Sequence, residues 1–123
     1  MKPSILLIDQ HERHAERIQQ GLQPTYQVVT IPEQHKAIQH YRLQQHTRPY
    51  HAVLISYLLH GATGTSITER LREHDKETPI IIMYHIPEHV KTQAEQAGAN
   101  DVIQKPVDIP SLMHLLAQYE RRI

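Results

Sequence analysis

The chain has 123 residues, with 13 basic and 13 acidic side chains and a formal net charge of zero. That is one domain's worth of core, expected to span residues 1–123, and the balanced charge argues against direct binding to a nucleic acid backbone. The absence of cysteine excludes disulfides, thiolate-bound zinc, iron–sulfur clusters and a thiol nucleophile.

The first apolar run, Ser4 to Ile8, is short and ends at Asp9. Only five residues separate Met1-Lys2-Pro3 from Asp9, too few for the apolar segment of a signal peptide. No run anywhere approaches the roughly 18–20 apolar residues of a membrane span. A cytoplasmic protein without membrane contact is the expectation. From His11 to Leu22, Ala15, Ile18 and Leu22 recur at helical spacing, with Gly21 marking the helix end and Pro24 excluding continuation. Thr25 to Ile31 is rich in β-branched residues and reads as a strand. Pro32 suits a first helical turn, and Ala37, Ile38 and Tyr41 give the next helix a thin apolar face.

Ala52 to Ile55 is the next buried run, closing at Ser56 and followed by a loop containing Gly61 and Gly64. Thr65 to Asp75 reads as a helix with Ile67 and Leu71 inward. Pro79 to Tyr84 is a fourth strand, and Pro87 to Ala97 a helix stopped by Gly98. Asp101 to Gln104 is a short fifth strand, Pro106 breaks the chain, and Ile109 to Arg122 forms the last helix. Arg121-Arg122-Ile123 would suit a junction to an output domain. Strands that are continuous apolar runs are buried on both faces, which gives an α/β fold: a parallel sheet of five strands between five helices. Such sheets place their ligand crevice at the carboxyl ends of the strands. Here those ends carry Asp9, Ser56, Tyr84 and Gln104-Lys105.

These residues carry a family resemblance. Ile5 to Asp9, His51 to Ile55 with Gly61 and Gly64 behind it, Pro79 to Met83, Gly98-Ala99-Asn100-Asp101 and Lys105-Pro106 together resemble the receiver domain of bacterial response regulators, over essentially the whole chain. The resemblance implies a flavodoxin-like doubly wound sheet of strand order 2-1-3-4-5 and a cis bond before Pro106. It implies phosphoryl transfer from a histidine kinase to an aspartate ending the third strand. Two acidic residues after the first strand would help hold Mg²⁺, and a Thr or Ser and a Lys would contact the phosphoryl group.

The sequence departs from that pattern at the reacting positions. Ser56 stands at the acceptor position, Gln10 replaces the second acidic residue, Tyr84 replaces the hydroxyl switch, and only Asp9 and Lys105 remain. A serine hydroxyl is neutral near pH 7 and cannot serve as the carboxylate nucleophile. One carboxylate also makes a weak Mg²⁺ site. The sequence therefore reads as a degenerate receiver, or pseudo-receiver: a phosphorylation-independent interaction module with no catalytic residue, no cofactor and no metal site. An enzyme of flavodoxin-like architecture is disfavoured, because Asp9-Gln10-His11-Glu12 is no glycine-rich phosphate loop.

Lys105 is expected to pair with Asp9, in preference to a role as a relic anion binder. The Tyr84 ring is expected to fill the vacated pocket. The chain carries 11 histidines, and His11, His60 and His85 fall in crevice loops, where with Asp9 they offer the alternative of a ligand-, metal- or pH-sensing domain. The last helix has an apolar arc of roughly 160°, wider than one buried face needs. Met113 and Leu115 lie at its margins and are expected to gain little from the core. In receivers, partners or a second copy dock on the face of the fourth helix, fifth strand and fifth helix, so these two residues mark the expected interaction face.

Overall fold

A computed structural model describes residues 2–120. The two terminal arginines and the end of the expected last helix lie outside the described residues. In chain order the elements are β1 (Ser4–Ile8), α1 (Glu12–Leu22), β2 (Gln27–Thr30), α2 (Gln34–Gln45), β3 (Ala52–Ser56), β4 (Leu58–Leu59), β5 (Ala62–Thr63), α3 (Gly64–Arg72), β6 (Ile80–Tyr84), α4 (Val90–Ala97), β7 (Asp101–Gln104) and α5 (Ile109–Glu120). The main sheet runs β2-β1-β3-β6-β7, the expected 2-1-3-4-5 order once the small β4-β5 hairpin is set aside. Its pairs are all parallel, with Ile8 opposite Ile55 and Ser56 opposite Met83.

The continuous apolar strands are explained by cover on both faces. Successive strand residues point to opposite sides. Leu6, Ile8, Val53 and Ile55 meet Ala37 and Tyr41 of α2, Ile67 and Leu71 of α3 and Ala94 of α4. Ile5, Leu7, Leu54 and Met83 meet Ala15, Ile18 and Leu22 of α1 and Leu112 and Leu116 of α5.

Several boundaries differ from the sequence expectation, each for a local reason. Gly21 does not end α1; it lies inside the helix, where a Cβ would come within 2.9 Å of Ile109 of α5. The loop after β3 contains the two-residue strands β4 and β5, paired antiparallel around Gly61 at φ 73°. α3 stops at Arg72, so Asp75 belongs to the following loop. α4 begins at Val90, because His89 adopts the left-handed φ of 63° and breaks the chain's approach. Met113 and Leu115, expected to gain little from the core, are both half-buried and pack against it beneath α5. The exposed large apolar side chains are Leu43, Leu58 and Ile86.

Candidate functional site

β1 delivers Asp9 to the carboxyl edge of the sheet, where it is only 1% exposed. Its Oδ1 accepts the His11 backbone N–H at 2.9 Å. Its Oδ2 accepts from Lys105 Nζ at 3.1 Å and from His14 Nδ1 at 2.6 Å. Helix α1 builds this arrangement locally. His11 caps it, accepting the His14 backbone N–H on its own Nδ1 at 3.2 Å, and the first turn then brings the His14 ring back over Asp9.

Lys105 follows β7. Its backbone N–H donates to the Tyr84 carbonyl at 2.7 Å, and its bond to Pro106 is cis. The buried ammonium also donates to Ser56 Oγ at 2.9 Å. Ser56 is held from behind by Gly64. A Cβ there would sit 2.5 Å from the Ser56 carbonyl oxygen, so only glycine lets α3 start this close to the end of β3. Asp9, Ser56, Lys105 and His14 thus form one connected buried cluster.

Its electrostatics follow from the partners. Burial pushes the Asp9 carboxyl up, but His14, the His11 N–H and Lys105 together hold it below the ordinary carboxylate range. His85, in the loop after β6, is pushed down by desolvation and by the nearby Lys105 and His14. The second ring nitrogen of His14, Nε2, is buried without a hydrogen-bond partner among the described residues.

The other expected site residues go elsewhere. Gln10 turns away from the crevice: its amide donates to the Pro32 carbonyl at 3.1 Å and to Gln34 Oε1 at 2.7 Å, while its Oε1 accepts the His60 N–H at 2.6 Å. Gln34 Nε2 donates to the His60 carbonyl at 2.6 Å, so the loop after β3 is stitched to the loop after β2. The side chains of His60 and His85 are exposed. Tyr84, whose ring is expected to fill the vacated pocket, is half-buried and belongs to neither core cluster. The group set against Asp9 is the His14 imidazole, which is not among the histidines that the sequence places at the crevice. The missed signal was the spacing of five residues from Asp9 across a helix start.

The magnesium ion implied by the family pattern does not fit these residues. There is one carboxylate, and both its oxygens already accept from protein donors, one of them from a buried ammonium. Among the described residues no three His, Asp or Glu side chains are placed to hold any metal ion. No helix among them is long and apolar enough to cross a membrane.

A family model described as "response regulator receiver domain" matches residues 5–117. A curated relative, the Bacillus subtilis protein named "uncharacterized transcriptional regulatory protein YkoG", is 36% identical over 67 residues, which is 52% of this chain and 28% of that protein. The chain thus matches little more than a quarter of that relative's length. Solved structures share the fold throughout. A two-component response regulator from Clostridium difficile superposes with a TM-score of 0.86 at 20% identity, covering 98% of each chain. The receiver domain of Francisella response regulator 1452 gives 0.84 at 21% identity, covering 99% of this chain and 100% of the other. The Vibrio cholerae chemotaxis protein CheY4 gives 0.84 at 20% identity, covering 97% and 99%.

Proposed function

The chain belongs to the response regulator receiver domain family, and from that premise we propose that it is a pseudo-receiver: a non-enzymatic, phosphorylation-independent regulatory module of bacterial signal transduction, acting in the cytoplasm. One observation carries this reading. The groups at the reacting positions are already bonded to one another, with Lys105 Nζ donating to both Asp9 and Ser56. Phosphoryl transfer to a receiver needs a carboxylate nucleophile at the end of β3, and Ser56 offers a neutral hydroxyl. Among the described residues the carboxylate of this cluster, Asp9, is committed to His11, His14 and Lys105 and is not free to take the hydroxyl proton. Output then comes from binding a partner or a second copy. The face of α4, β7 and α5 is the proposed surface, with Met113 and Leu115 contributing the parts of their side chains that the core leaves uncovered.

The test is incubation with acetyl phosphate, and separately with beryllofluoride, in the presence of Mg²⁺. Intact mass and the amide NMR spectrum should not change. A gain of one phosphoryl group, or saturable shifts centred on Ser56 and Lys105, would overturn the proposal.

The half-buried His14 imidazole on Asp9 favours a second reading, proton sensing by the same crevice. Its signature is a cooperative spectral change of α1 and the Asp9 loop as the pH is lowered from neutral. Uniform behaviour of these residues as the pH falls would exclude it.

A further inference from the structure

The β4-β5 hairpin has two-residue strands, too short to hold themselves together in water. It stands at the rim of the crevice, between Ser56 and the start of α3. Leu59 and Ala62 reach the core from it. Leu58 is 61% exposed, and a Cβ at Gly61 would meet no atom within 4 Å, so the outer side and the tip face solvent. What grips the turn is the main chain of His60.

Three residues close a ring there. Gln10 Nε2 donates to Gln34 Oε1 at 2.7 Å, Gln34 Nε2 donates to the His60 carbonyl at 2.6 Å, and the His60 N–H donates to Gln10 Oε1 at 2.6 Å. Each member donates once and accepts once around the ring, and bonds linked in this way polarise and strengthen one another. The Gln10 amide also donates to the Pro32 carbonyl at 3.1 Å, which ties the ring to the loop after β2. Gln34 is only 5% exposed, so its amide has little water to turn to if the ring opens. The three residues come from the loop before α1, the first turn of α2 and the turn of the hairpin. All three bonding groups are neutral, so the ring needs no cation and does not titrate near pH 7. A carboxylate at position 10 has no hydrogen to give to Gln34 or Pro32 and would keep only the bond from His60.

We propose that Gln10 and Gln34 form a latch that holds the β4-β5 hairpin against the loop before α1 and the first turn of α2, and that breaking either amide frees the hairpin to open as a unit. The latch keeps the rim of the crevice in one shape without an ion, a ligand or a covalent modification, and holds the exposed Leu58 in one orientation. It acts whether or not Ser56 reacts, and so goes beyond the reading of the module as a pseudo-receiver.

Amide hydrogen exchange of the full chain at neutral pH, read by NMR, tests the latch. In the unmodified protein the N–H of His60, an exposed residue, should exchange about ten-fold more slowly than a free amide, the ratio that one good hydrogen bond gives. Gln10→Glu should remove that protection and speed exchange at Gly61 and Ala62 with it, while Leu54 and Ile55 of β3 keep theirs. Gln10→Ala and Gln34→Ala repeat the test without a new charge, so it survives if the glutamate disturbs folding. The double alanine variant should lose no more protection than either single one, since the ring opens only once. An unprotected His60 in the unmodified chain, protection that persists in Gln10→Ala, or losses that add in the double variant would each overturn the proposal.

Discussion

The two ends of the sheet each bury an aspartate, and each solves the charge differently. At the carboxyl end, Asp9 is 1% exposed and is matched by a buried ammonium and an imidazole, Lys105 and His14. At the amino end, Asp75 is 7% exposed and is matched mainly by groups that do not titrate near neutrality. The Tyr41 hydroxyl donates to its Oδ2, as does the Thr78 hydroxyl at 2.5 Å, and the Glu77 and Thr78 backbone N–H groups donate to Oδ1 at 2.9 and 3.2 Å. Arg72 reaches only the Asp75 carbonyl, at 3.0 Å, while its other nitrogens bind Gly98 and Asn100. Burial raises the Asp75 carboxyl, and the two hydroxyls and two amides more than offset it, leaving it below the ordinary range. The same carboxylate raises the Tyr41 phenol, after burial has already done so. The comparison teaches that a buried carboxylate can be held by neutral hydroxyls and amides at one end and by ionisable partners at the other.

The sharpest way to break the comparison is to remove the cation at the carboxyl end. Lys105→Met leaves Asp9 buried with His14 and the His11 N–H, and strips Ser56 of its donor. Deleting one partner of a buried pair costs about 3–5 kcal/mol. Urea unfolding at pH 7 should show a loss of that order. A loss under about 1 kcal/mol, the worth of an exposed pair, would mean the pair is effectively solvated and the two ends are alike.

Asp75→Asn probes the other end and should cost less, about 1–3 kcal/mol, because neutral hydroxyls and amides lose a charged acceptor without leaving a charge unpaired. Its pH behaviour carries the sign of the argument. A carboxyl held below its unfolded value, near 3.9, contributes stability that is full above that value and is lost as pH falls through the folded value. Stability of the unmodified chain should therefore drop below about pH 4, and Asp75→Asn should make that drop shallower. The depressed His85 adds a separate, smaller slope: its contribution is full above about pH 6.5 and declines below it. His85→Gln should remove that slope and leave the acid limb untouched. Parallel pH profiles for all three proteins would contradict the assignment.

What sequence could foresee follows from which physics is local. Ile5 to Ile8, Ala52 to Ile55 and Ile80 to Met83 are unbroken apolar strands, so the doubly covered sheet was legible. The ends of helices were less so. Gly21 looked like a terminator because glycine usually is one, yet tertiary contact with Ile109 is what requires it. The β4-β5 hairpin is too short to show any periodicity. Met113 and Leu115 looked marginal on a helical wheel, and both are half-buried against the core cluster beneath α5. Most of the long-range polar contacts had no signal. Tyr41 and Asp75 are 34 residues apart, and Gln10 and His60 are 50 apart. Lys105 meeting Asp9 was expected because, with no carboxylate at position 56, Asp9 is its nearest plausible partner. His14 was not, because its approach depends on where α1 starts.

The smallest effect sharpens the comparison from inside the carboxyl-end crevice. Tyr84 ends β6 with its backbone paired to Gln104 and its carbonyl accepting the Lys105 N–H. Tyr84→Thr keeps those backbone bonds and introduces a β-branched residue suited to a strand. The ring is half-buried and outside both core clusters, so little packing is lost. The cost should be under about 1 kcal/mol, against about 3–5 kcal/mol for truncating a core aromatic. The variant should also gain no acetyl phosphate reactivity, since Ser56 still stands where a carboxylate is needed. A cost above about 2 kcal/mol would show that the ring seals the crevice, with removal letting water reach the Lys105–Asp9 pair. Lys105→Met would then cost less in the Tyr84→Thr background than alone. A double-mutant cycle measures that coupling directly, and additivity would leave the cluster of Asp9, His14 and Lys105 standing without help from Tyr84.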